Sequence, residues 1–171
     1  MQADERAARE SVVAAARELD ALKLNRGTSG NVSLRFGDGL LITPSGVPTQ
    51  ALTPEGIVPM AMDGTYPAGL RPSSEWRFHR DILAARPEFG AVVHAHPIHC
   101  TAFALCGREI PAVHYMIAAF GGPSVRCAPY APYGTEALSV LALKALEGRS
   151  CCLLANHGMI AAGADLQRAI W

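Results

Sequence analysis

The stretch AVVHAHP, residues 91–97, joins a short apolar run to two histidines and a proline. Residues 91–96 predict a buried strand, and Pro97 stands at a favourable first position for a helix that runs to about Cys106. The strand and the helix therefore meet at the histidines. Short buried strands that lead into helices in this way are typical of a layered α/β architecture.

The pattern on either side extends this unit. Apolar periodicity and helix-stop residues predict helices over residues 3–24, from 73–75 to Pro87, over 134–147 and from about Asp165 onwards. Short apolar runs predict strands over residues 31–36, 40–43, 57–62, 151–155 and 159–162. Residues 110–122 fit neither pattern. Because hairpins and crossover helices are mixed, the predicted fold class is α/β (α+β), a three-layer sandwich with a mixed, largely antiparallel central sheet flanked by helices.

Composition limits the partners of this chain. Its 171 residues are 50% hydrophobic and carry 15 Lys+Arg against 15 Asp+Glu, which predicts one compact domain over residues 1–171. Zero formal net charge, with no block of like charges, argues against nucleic acid or an anionic membrane as a partner. Neither a transmembrane span nor a secretory signal is expected, because no long apolar run occurs and residues 1–6 are acidic and helix-forming.

The cysteines and the end of the sequence carry two further expectations. Five cysteines make an odd number and none stands in a C-x-x-C pair, so a reducing cytoplasm is indicated in place of a disulfide framework or a cysteine zinc site. The helix from Asp165 stops within two turns on Trp171, a large aromatic that favours burial. We therefore expect a further C-terminal helical segment to be missing from this sequence.

Three histidines form a candidate metal site. His94 and His96 are two apart on a predicted strand, so both side chains leave the same face. His157 lies in a glycine-bordered turn at the end of another strand, and neighbouring strands would bring it to the same sheet edge. Three imidazoles with one open position are typical of a catalytic zinc site. The alternative is that they are ordinary surface or core histidines. Packing or supporting roles are the favoured interpretation of His99 and His114, and His79 has the weakest claim to be a ligand.

A carboxylate and three polar loops accompany the histidines. Glu75 opens a helix directly after Ser73 and Ser74, where an acidic residue either interacts with the helix dipole or serves a site. Free backbone N–H groups and hydroxyls at such a helix start can bind an anion such as phosphate. The loops at residues 27–31 and 43–46 have the same Gly, Ser and Thr character, although each alone is an ordinary turn in most proteins. Together they predict a small phosphorylated substrate.

Five motifs carry a resemblance to a known family. In chain order they are GTSGNVS at 27–33, ITPSG at 42–46, SSEW at 73–76, HAH at 94–96 and NHG at 156–158. Their order and spacing resemble those of the class II aldolase family of L-fuculose-1-phosphate aldolase, over essentially the whole chain. Residues 110–119 are more similar to the fuculose-phosphate branch than to the ribulose-5-phosphate 4-epimerase branch.

The resemblance implies a role for each candidate residue. Zinc would be held by His94, His96 and His157, with Glu75 beside the metal as a further ligand and as the base. Tyr115 would donate a proton from the adjacent subunit of a homotetramer whose active sites lie between subunits. The phosphate of the sugar would be bound by Thr28, Asn31, Ser45, Gly46, Ser73 and Ser74.

Metal chemistry also agrees with the scarcity of lysine. Cleavage of a ketose 1-phosphate between C3 and C4 leaves a carbanion at C3, which needs an electron sink. The sequence has two lysines, Lys23 and Lys144, both inside predicted helices, and it is shorter than the roughly 250-residue barrel on which Schiff-base aldolases are commonly built. A metal-stabilised enediolate is therefore expected. In the synthetic direction Glu75 would remove the C3 proton of dihydroxyacetone phosphate and Tyr115 would protonate the new alkoxide.

Three alternatives share the implied fold. Two are enzymes, a ribulose-5-phosphate 4-epimerase and a methylthioribulose-1-phosphate dehydratase, and neither releases two fragments as an aldolase does. The third is a non-catalytic binding domain like the head of adducin, against which the three histidines and Glu75 argue. The aldehyde half of the substrate is left open, because fold alone does not select it.

Overall fold

The computed structural model describes residues 3–171, so residues 1 and 2 of the predicted domain lie outside the described part. A seven-stranded sheet has the order β3-β2-β1-β4-β7-β6-β5. Its strands are β1 (Asn31–Phe36), β2 (Gly39–Ile42), β3 (Val58–Ala61), β4 (Ala91–Ala95), β5 (Cys127–Ala128), β6 (Cys151–Leu154) and β7 (Met159–Gly163). The helices are α1 (Ala3–Ala21), α2 (Trp76–Ala85), α3 (Ile98–Leu105), α4 (Glu136–Ala145) and α5 (Leu166–Ile170). Among the strands of residues 3–171 only β5 and β6 pair in parallel, which confirms the mixed, largely antiparallel sheet.

Helices cover both faces of the sheet because each strand alternates its side chains between two cores. On β4, Val92 joins the apolar cluster that includes Phe78 of α2 and Leu138 of α4. Its neighbour Val93 joins the opposite cluster, which contains Val12 of α1 and residues of α5. Burial of such side chains stabilises the fold by about 1.5–3 kcal/mol each. The three-layer sandwich is therefore confirmed, with β4 at its centre.

Several boundaries differ from the sequence prediction. Helix α1 ends at Ala21, and Lys23 lies beyond it in a left-handed turn with φ of 59°, so the prediction that Lys23 is helical is wrong. The two-residue strand β5 was not predicted, because a run that short has no readable period. Within the ambiguous residues 110–122 the chain forms a 3-10 helix over Tyr115–Phe120.

The start of α2 also departs from expectation. The N-cap position is Glu75 and not a serine, and the Glu75 side chain makes no capping hydrogen bond. Ser73 contributes instead by accepting a hydrogen bond from the Glu75 backbone N–H at 3.3 Å. At α3, Pro97 is likewise the N-cap residue and not the first helical residue. The Glu75 carboxylate is consequently free to point toward the sheet.

Two observations bear on the sequence expectations about membranes and thiols. Among the helices of residues 3–171, none has the length and apolar composition that a bilayer crossing requires. All five cysteines lie within the described residues and are free thiols. Burial raises the pKa of the Cys151 thiol to about 12, so this group is a poor nucleophile.

Candidate metal and active site

The three histidines named from the sequence converge at one end of the central strands. His94 lies on β4, His96 directly follows that strand, and His157 lies in the turn between β6 and β7. Because β7 pairs antiparallel with β4, the start of β7 lies beside the end of β4. One ring nitrogen from each histidine lies within 4.8 Å of the others. The ring centroids of His94 and His157 are 4.7 Å apart.

The turn that carries His157 depends on two neighbouring residues. Asn156 adopts a left-handed conformation with φ of 56°, which asparagine tolerates better than most residues. At Gly158 a Cβ atom would lie 2.6 Å from the Ala95 carbonyl oxygen and 2.7 Å from Cδ2 of His96. Only glycine leaves room for this close approach. The Asn-His-Gly sequence therefore brings His157 against the end of β4 and against the His96 ring.

Hydrogen bonding and burial set the protonation of these rings. Nδ1 of His94 donates to the Met159 carbonyl oxygen at 2.8 Å, so Nε2 is left with its lone pair facing the cluster. Burial is the main reason that the pKa of His94 is lowered to about 3 and that of His157 to about 4. Burial also lowers the pKa of His96. All three rings are consequently neutral at neutral pH, the form that binds metal.

Glu75 is the carboxylate of this site. Its side chain is only 8% exposed, and Oε2 lies 3.2 Å from Nε2 of His94 while Oε1 lies 3.4 Å from Nε2 of His157. Since the histidines are neutral, these contacts are not ion pairs. Oε2 accepts a hydrogen bond from Nδ2 of Asn31 at 3.0 Å. Oε1 is buried and has no hydrogen-bond donor among the described residues.

The donor set fits a metal cation. Nε2 of His94 lies 3.2 Å from a Glu75 carboxylate oxygen and 2.8 Å from Nε2 of His96, and burial disfavours the protonated imidazole that would pair with that carboxylate. An uncompensated buried carboxylate costs several kcal/mol. A divalent cation among the three rings would offset the negative charge of the Glu75 carboxylate, whose Oε1 has no hydrogen-bond donor among the described residues. Imidazole nitrogen and carboxylate oxygen are ligands that zinc and other first-row divalent metals accept.

A buried chain of side chains extends behind Glu75, and the sequence analysis missed it. His79, which had the weakest claim of the histidines to be a ligand, is fully buried and within hydrogen-bond distance of both Asn31 and Ser33. Its Nδ1 lies 2.7 Å from the Ser33 hydroxyl. Burial, and then the neighbouring His94, lowers the pKa of His79 well below its usual value. Its spacing of four residues from Glu75 on a helix is the signal that could have revealed it.

A polar pocket of about 180 Å³ adjoins the cluster. Glu75, His96 and His157 lie in its wall. All six residues proposed from the sequence to bind phosphate also line it: Thr28, Asn31, Ser45, Gly46, Ser73 and Ser74. Tyr133, which the sequence analysis did not select, lines the pocket as well. The next residue, Gly134, has φ of 73° and packs its backbone closely against the Ser74 carbonyl.

The first pocket loop is tied to the metal cluster through one side chain. Oδ1 of Asn25 accepts a hydrogen bond from the His96 backbone N–H at 3.0 Å. The same side chain fills the space beside Gly30, where a Cβ would lie 2.2 Å from Nδ2 of Asn25. Gly30 also has φ of 80°, a conformation that glycine adopts most readily. The Asn25 side chain therefore packs between the loop at residues 27–31 and the backbone of His96.

Tyr115 is the one proposed site residue that the chain does not bring to the cluster. It is 82% exposed on the 3-10 helix and packs against His114, with ring centroids 4.5 Å apart. His99 and His114 are exposed and contribute no ring to the three-histidine cluster. A separate apolar cavity of about 440 Å³, between α5 and the residues after α3, contains none of the proposed site residues.

Comparison with known proteins identifies the class to which this fold and site belong. The chain belongs to the class II aldolase and adducin N-terminal domain family, whose model matches residues 10–171. It is 54% identical over 164 residues to a 5-methylthioribulose-1-phosphate/5-deoxyribulose-1-phosphate aldolase of Rhodospirillum rubrum, covering 96% of this chain and 74% of that protein. It is 51% identical over 154 residues to L-fuculose phosphate aldolase of Escherichia coli K12, covering 90% of this chain and 72% of that protein.

Solved structures agree with the sequence relatives. An L-fuculose 1-phosphate aldolase superposes with a TM-score of 0.92 at 38% identity, covering 99% of this chain and 80% of that one. The L-fuculose-1-phosphate aldolase of Thermus thermophilus gives a TM-score of 0.83 at 29% identity, covering 96% of this chain and 87% of that one. On these relationships the chain is a class II aldolase, a lyase.

Proposed function

We propose that this chain is a zinc-dependent aldolase that reversibly cleaves a ketose 1-phosphate into dihydroxyacetone phosphate and a small aldehyde. One observation carries the proposal: three neutral imidazoles and the buried Glu75 carboxylate lie together beside a pocket that hydroxyl groups line. Relatives named as aldolases of fuculose phosphate and of methylthio- or deoxyribulose 1-phosphate support this substrate class.

In this proposal His94, His96 and His157 hold the metal, with Glu75 beside it. A bound zinc ion supplies a Lewis acid that stabilises negative charge developing on the substrate oxygens. The hydrogen bond from His94 to the Met159 carbonyl keeps Nε2 available and fixes the ring direction. The glycine at position 158 keeps His96 and His157 at contact distance.

Glu75 is proposed as the base that moves the C3 proton. Its Oε1 has no hydrogen-bond donor among the described residues, so this oxygen is available to accept a proton. Oε2 is held by Asn31, which limits rotation of the carboxylate. In the synthetic direction Glu75 removes the C3 proton of dihydroxyacetone phosphate, and in cleavage it returns a proton to that carbon.

The polar pocket is proposed to bind the phosphate group. Hydroxyls of Thr28, Ser45, Ser73 and Ser74 line it, and the second N–H of the Asn31 amide is left for a ligand. The pocket also adjoins the N-terminus of α2, where the helix dipole favours negative charge. A phosphate there would keep the reacting carbons beside the histidine cluster.

We further propose a homotetramer in the cytoplasm, with active sites between subunits. Tyr115 is exposed and lies outside its own chain's pocket lining, as expected of a residue that serves a neighbouring subunit by donating a proton. The five free cysteines suit a reducing compartment. Light scattering of the purified protein tests the assembly, and four times the chain mass of 18.1 kDa is expected.

Product analysis tests the activity. The zinc-loaded protein is incubated with L-fuculose 1-phosphate, 5-deoxyribulose 1-phosphate and methylthioribulose 1-phosphate, and dihydroxyacetone phosphate is measured with and without chelator. Release of dihydroxyacetone phosphate from at least one substrate, lost on chelation, is expected. A single dehydrated product, or epimerisation of ribulose 5-phosphate with no cleavage, would favour the enzyme alternatives. A protein that binds no metal would favour an adducin-like binding domain.

A further inference from the structure

Four buried side chains form a continuous hydrogen-bonded chain that ends on Glu75. The chain runs from the Ser33 hydroxyl to His79, from His79 to Asn31 and from Asn31 to the carboxylate. The distances along it are 2.7, 2.5 and 3.0 Å. Ser33 and His79 are completely buried and lie outside the polar pocket. These two residues have no part in the roles proposed above.

The elements explain why these four residues meet. Glu75 and His79 are four apart at the start of α2, so they lie on the same side of that helix. Asn31 and Ser33 are two apart on β1, so they leave the same face of the sheet. Helix α2 lies over that face. Glu75 and His79 therefore face Asn31 and Ser33, and the four side chains contact one another between the helix and the sheet.

The Glu75 carboxylate sets the direction of every hydrogen bond in this series of four side chains. A carboxylate only accepts, so Asn31 must donate through Nδ2. The amide oxygen Oδ1 of Asn31 then faces His79 and must accept from Nε2–H. With its proton on Nε2, His79 accepts at Nδ1 from the Ser33 hydroxyl. One tautomer of His79 is therefore consistent with an ionised Glu75.

We propose that His79 is a positioning residue for the reaction, and the proposal rests on the function assigned above: its Nε2–H holds the Asn31 amide with the NH₂ group toward Glu75. This contact keeps the carboxylate in place beside the histidine cluster. Without the donor, the Asn31 amide is free to rotate and present its oxygen to the carboxylate. Two negatively polarised oxygens in contact would displace Glu75 from its working position.

Two substitutions at one position separate hydrogen bonding from packing. His79→Leu fills space but offers no donor, whereas His79→Gln retains an amide N–H that can reach Asn31. We expect His79→Leu to lower kcat at least tenfold with KM changed less than threefold and zinc content unchanged. His79→Gln is expected to recover at least a third of wild-type kcat. A His79→Leu enzyme with kcat within twofold of wild type would overturn the proposal.

Ser139→Ala is the matched control. Ser139 is completely buried and its hydroxyl donates at 2.5 Å to Asp81, which lies two residues beyond His79 on α2. Its removal deletes a buried hydrogen bond to α2 without touching Asn31. We expect lower thermal stability and unchanged kcat. A kcat loss in Ser139→Ala equal to that in His79→Leu would mean that any weakening of α2 has this effect, and it would overturn a specific role for His79.

Nitrogen NMR of the histidine rings supplies a readout that needs no activity. The protein is labelled with ¹⁵N-histidine, and the His79 signals are assigned because they disappear in the His79 variants. The spectra are expected to show the Nε2–H tautomer of His79 in zinc-loaded and in metal-free protein. The Nδ1–H tautomer or a protonated ring at pH 7 would overturn the proposal. This measurement decides the question even if no ketose phosphate is cleaved, so failure of the proposed activity and failure of this inference are distinguishable.

Ser33→Ala keeps the proposal testable if His79→Leu does not fold. It removes the hydroxyl that donates to Nδ1 and leaves the His79 ring in place. A mixture of tautomers and at least a threefold lower kcat are expected. Unchanged kcat in a Ser33→Ala protein whose His79 has lost the Nε2–H tautomer would show that this N–H does not act on Glu75, and would overturn the proposal.

Discussion

Asn31 and His94 are direct partners across the antiparallel pair formed by β1 and β4. Cross-strand partners have Cβ atoms about 4.5–5.5 Å apart, so the amide that bonds Glu75 and an imidazole of the histidine cluster are held at a spacing fixed by the sheet. Both lie on the face that α2 covers. The amide that holds the proposed base and one proposed metal ligand are therefore positioned by regular structure and not by loops, which favours precise geometry.

The histidine cluster predicts the metal content. Wild-type protein is expected to bind one zinc ion per chain, and His157→Ala should weaken binding by more than about 100-fold, since even outer-sphere substitutions cost 10–100-fold. Titration calorimetry measures both values. His99→Ala, which removes an exposed histidine of α3, is the control and should bind zinc as wild type does. Equal zinc affinity in His157→Ala and wild type would contradict the ligand assignment.

The buried carboxylate predicts a loss of proton transfer. Glu75→Gln preserves the size of the side chain but removes the base, so cleavage should fall by about 10²–10⁴-fold. Zinc content, measured by atomic absorption, should stay near one per chain. Glu10→Gln changes an exposed carboxylate on α1 and should leave the rate unaltered. A Glu75→Gln protein with zinc and the full cleavage rate would eliminate Glu75 as the base.

The depressed histidine pKa values predict the acid stability of the metal-free protein. Between about pH 6.5 and 4 the unfolded chain protonates His94 and His157, whereas the folded chain does not until their pKa values of about 3 and about 4. The unfolded state binds more protons in this window, so the free energy of unfolding falls as the pH falls. Each such histidine contributes a slope of up to about 1.4 kcal/mol per pH unit.

Urea unfolding from pH 4.5 to 7 measures this slope. His157→Gln should reduce it, because a group that takes up a proton on unfolding is gone. Val140→Thr changes an exposed residue of α4, removes no titratable group and should leave the slope as in wild type. Identical slopes in wild type and His157→Gln would show that burial does not hold the His157 ring neutral.

The close contact at Gly158 predicts damage from a single methyl group. In Gly158→Ala the new Cβ would meet the Ala95 carbonyl oxygen and the His96 ring at less than 3 Å, so either the turn or the ring must shift. We expect a loss of stability of about 1–3 kcal/mol and weaker zinc binding. Gly56→Ala is the control, since its Cβ would lie at an ordinary 3.6 Å from Thr53. Thermal melting with and without zinc separates the two effects, and wild-type zinc affinity in Gly158→Ala would contradict the importance of this contact.

The sequence predicted the parts of the site that follow from local pattern. His94 and His96 could be paired because side chains alternate along a strand, and His157 could be added because its turn follows a strand end. Their mutual distances could not be predicted, since they depend on β7 pairing with β4. The fold class followed from alternating hairpins and helices, while β5 was missed because two residues carry no period.

His79 illustrates what local pattern cannot supply. A lone histidine on an amphipathic helix is more often a packing residue than part of a site, and in the sequence only its spacing of four residues from Glu75 argues otherwise. Its significance appears only when α2 packs on β1 and brings His79 to Asn31. Tyr115 is the converse case, because a motif resemblance selected it although its own chain leaves it exposed and away from the cluster.

The central claim is a metal-dependent removal of the C3 proton with Glu75 as base. The most direct test is exchange of that proton of dihydroxyacetone phosphate in heavy water, followed by proton NMR without any aldehyde. The account predicts exchange with the zinc-loaded protein, loss of exchange after chelation, recovery when zinc is returned, and no exchange with zinc-loaded Glu75→Gln. Absence of exchange from wild-type protein that holds one zinc ion per chain would contradict it.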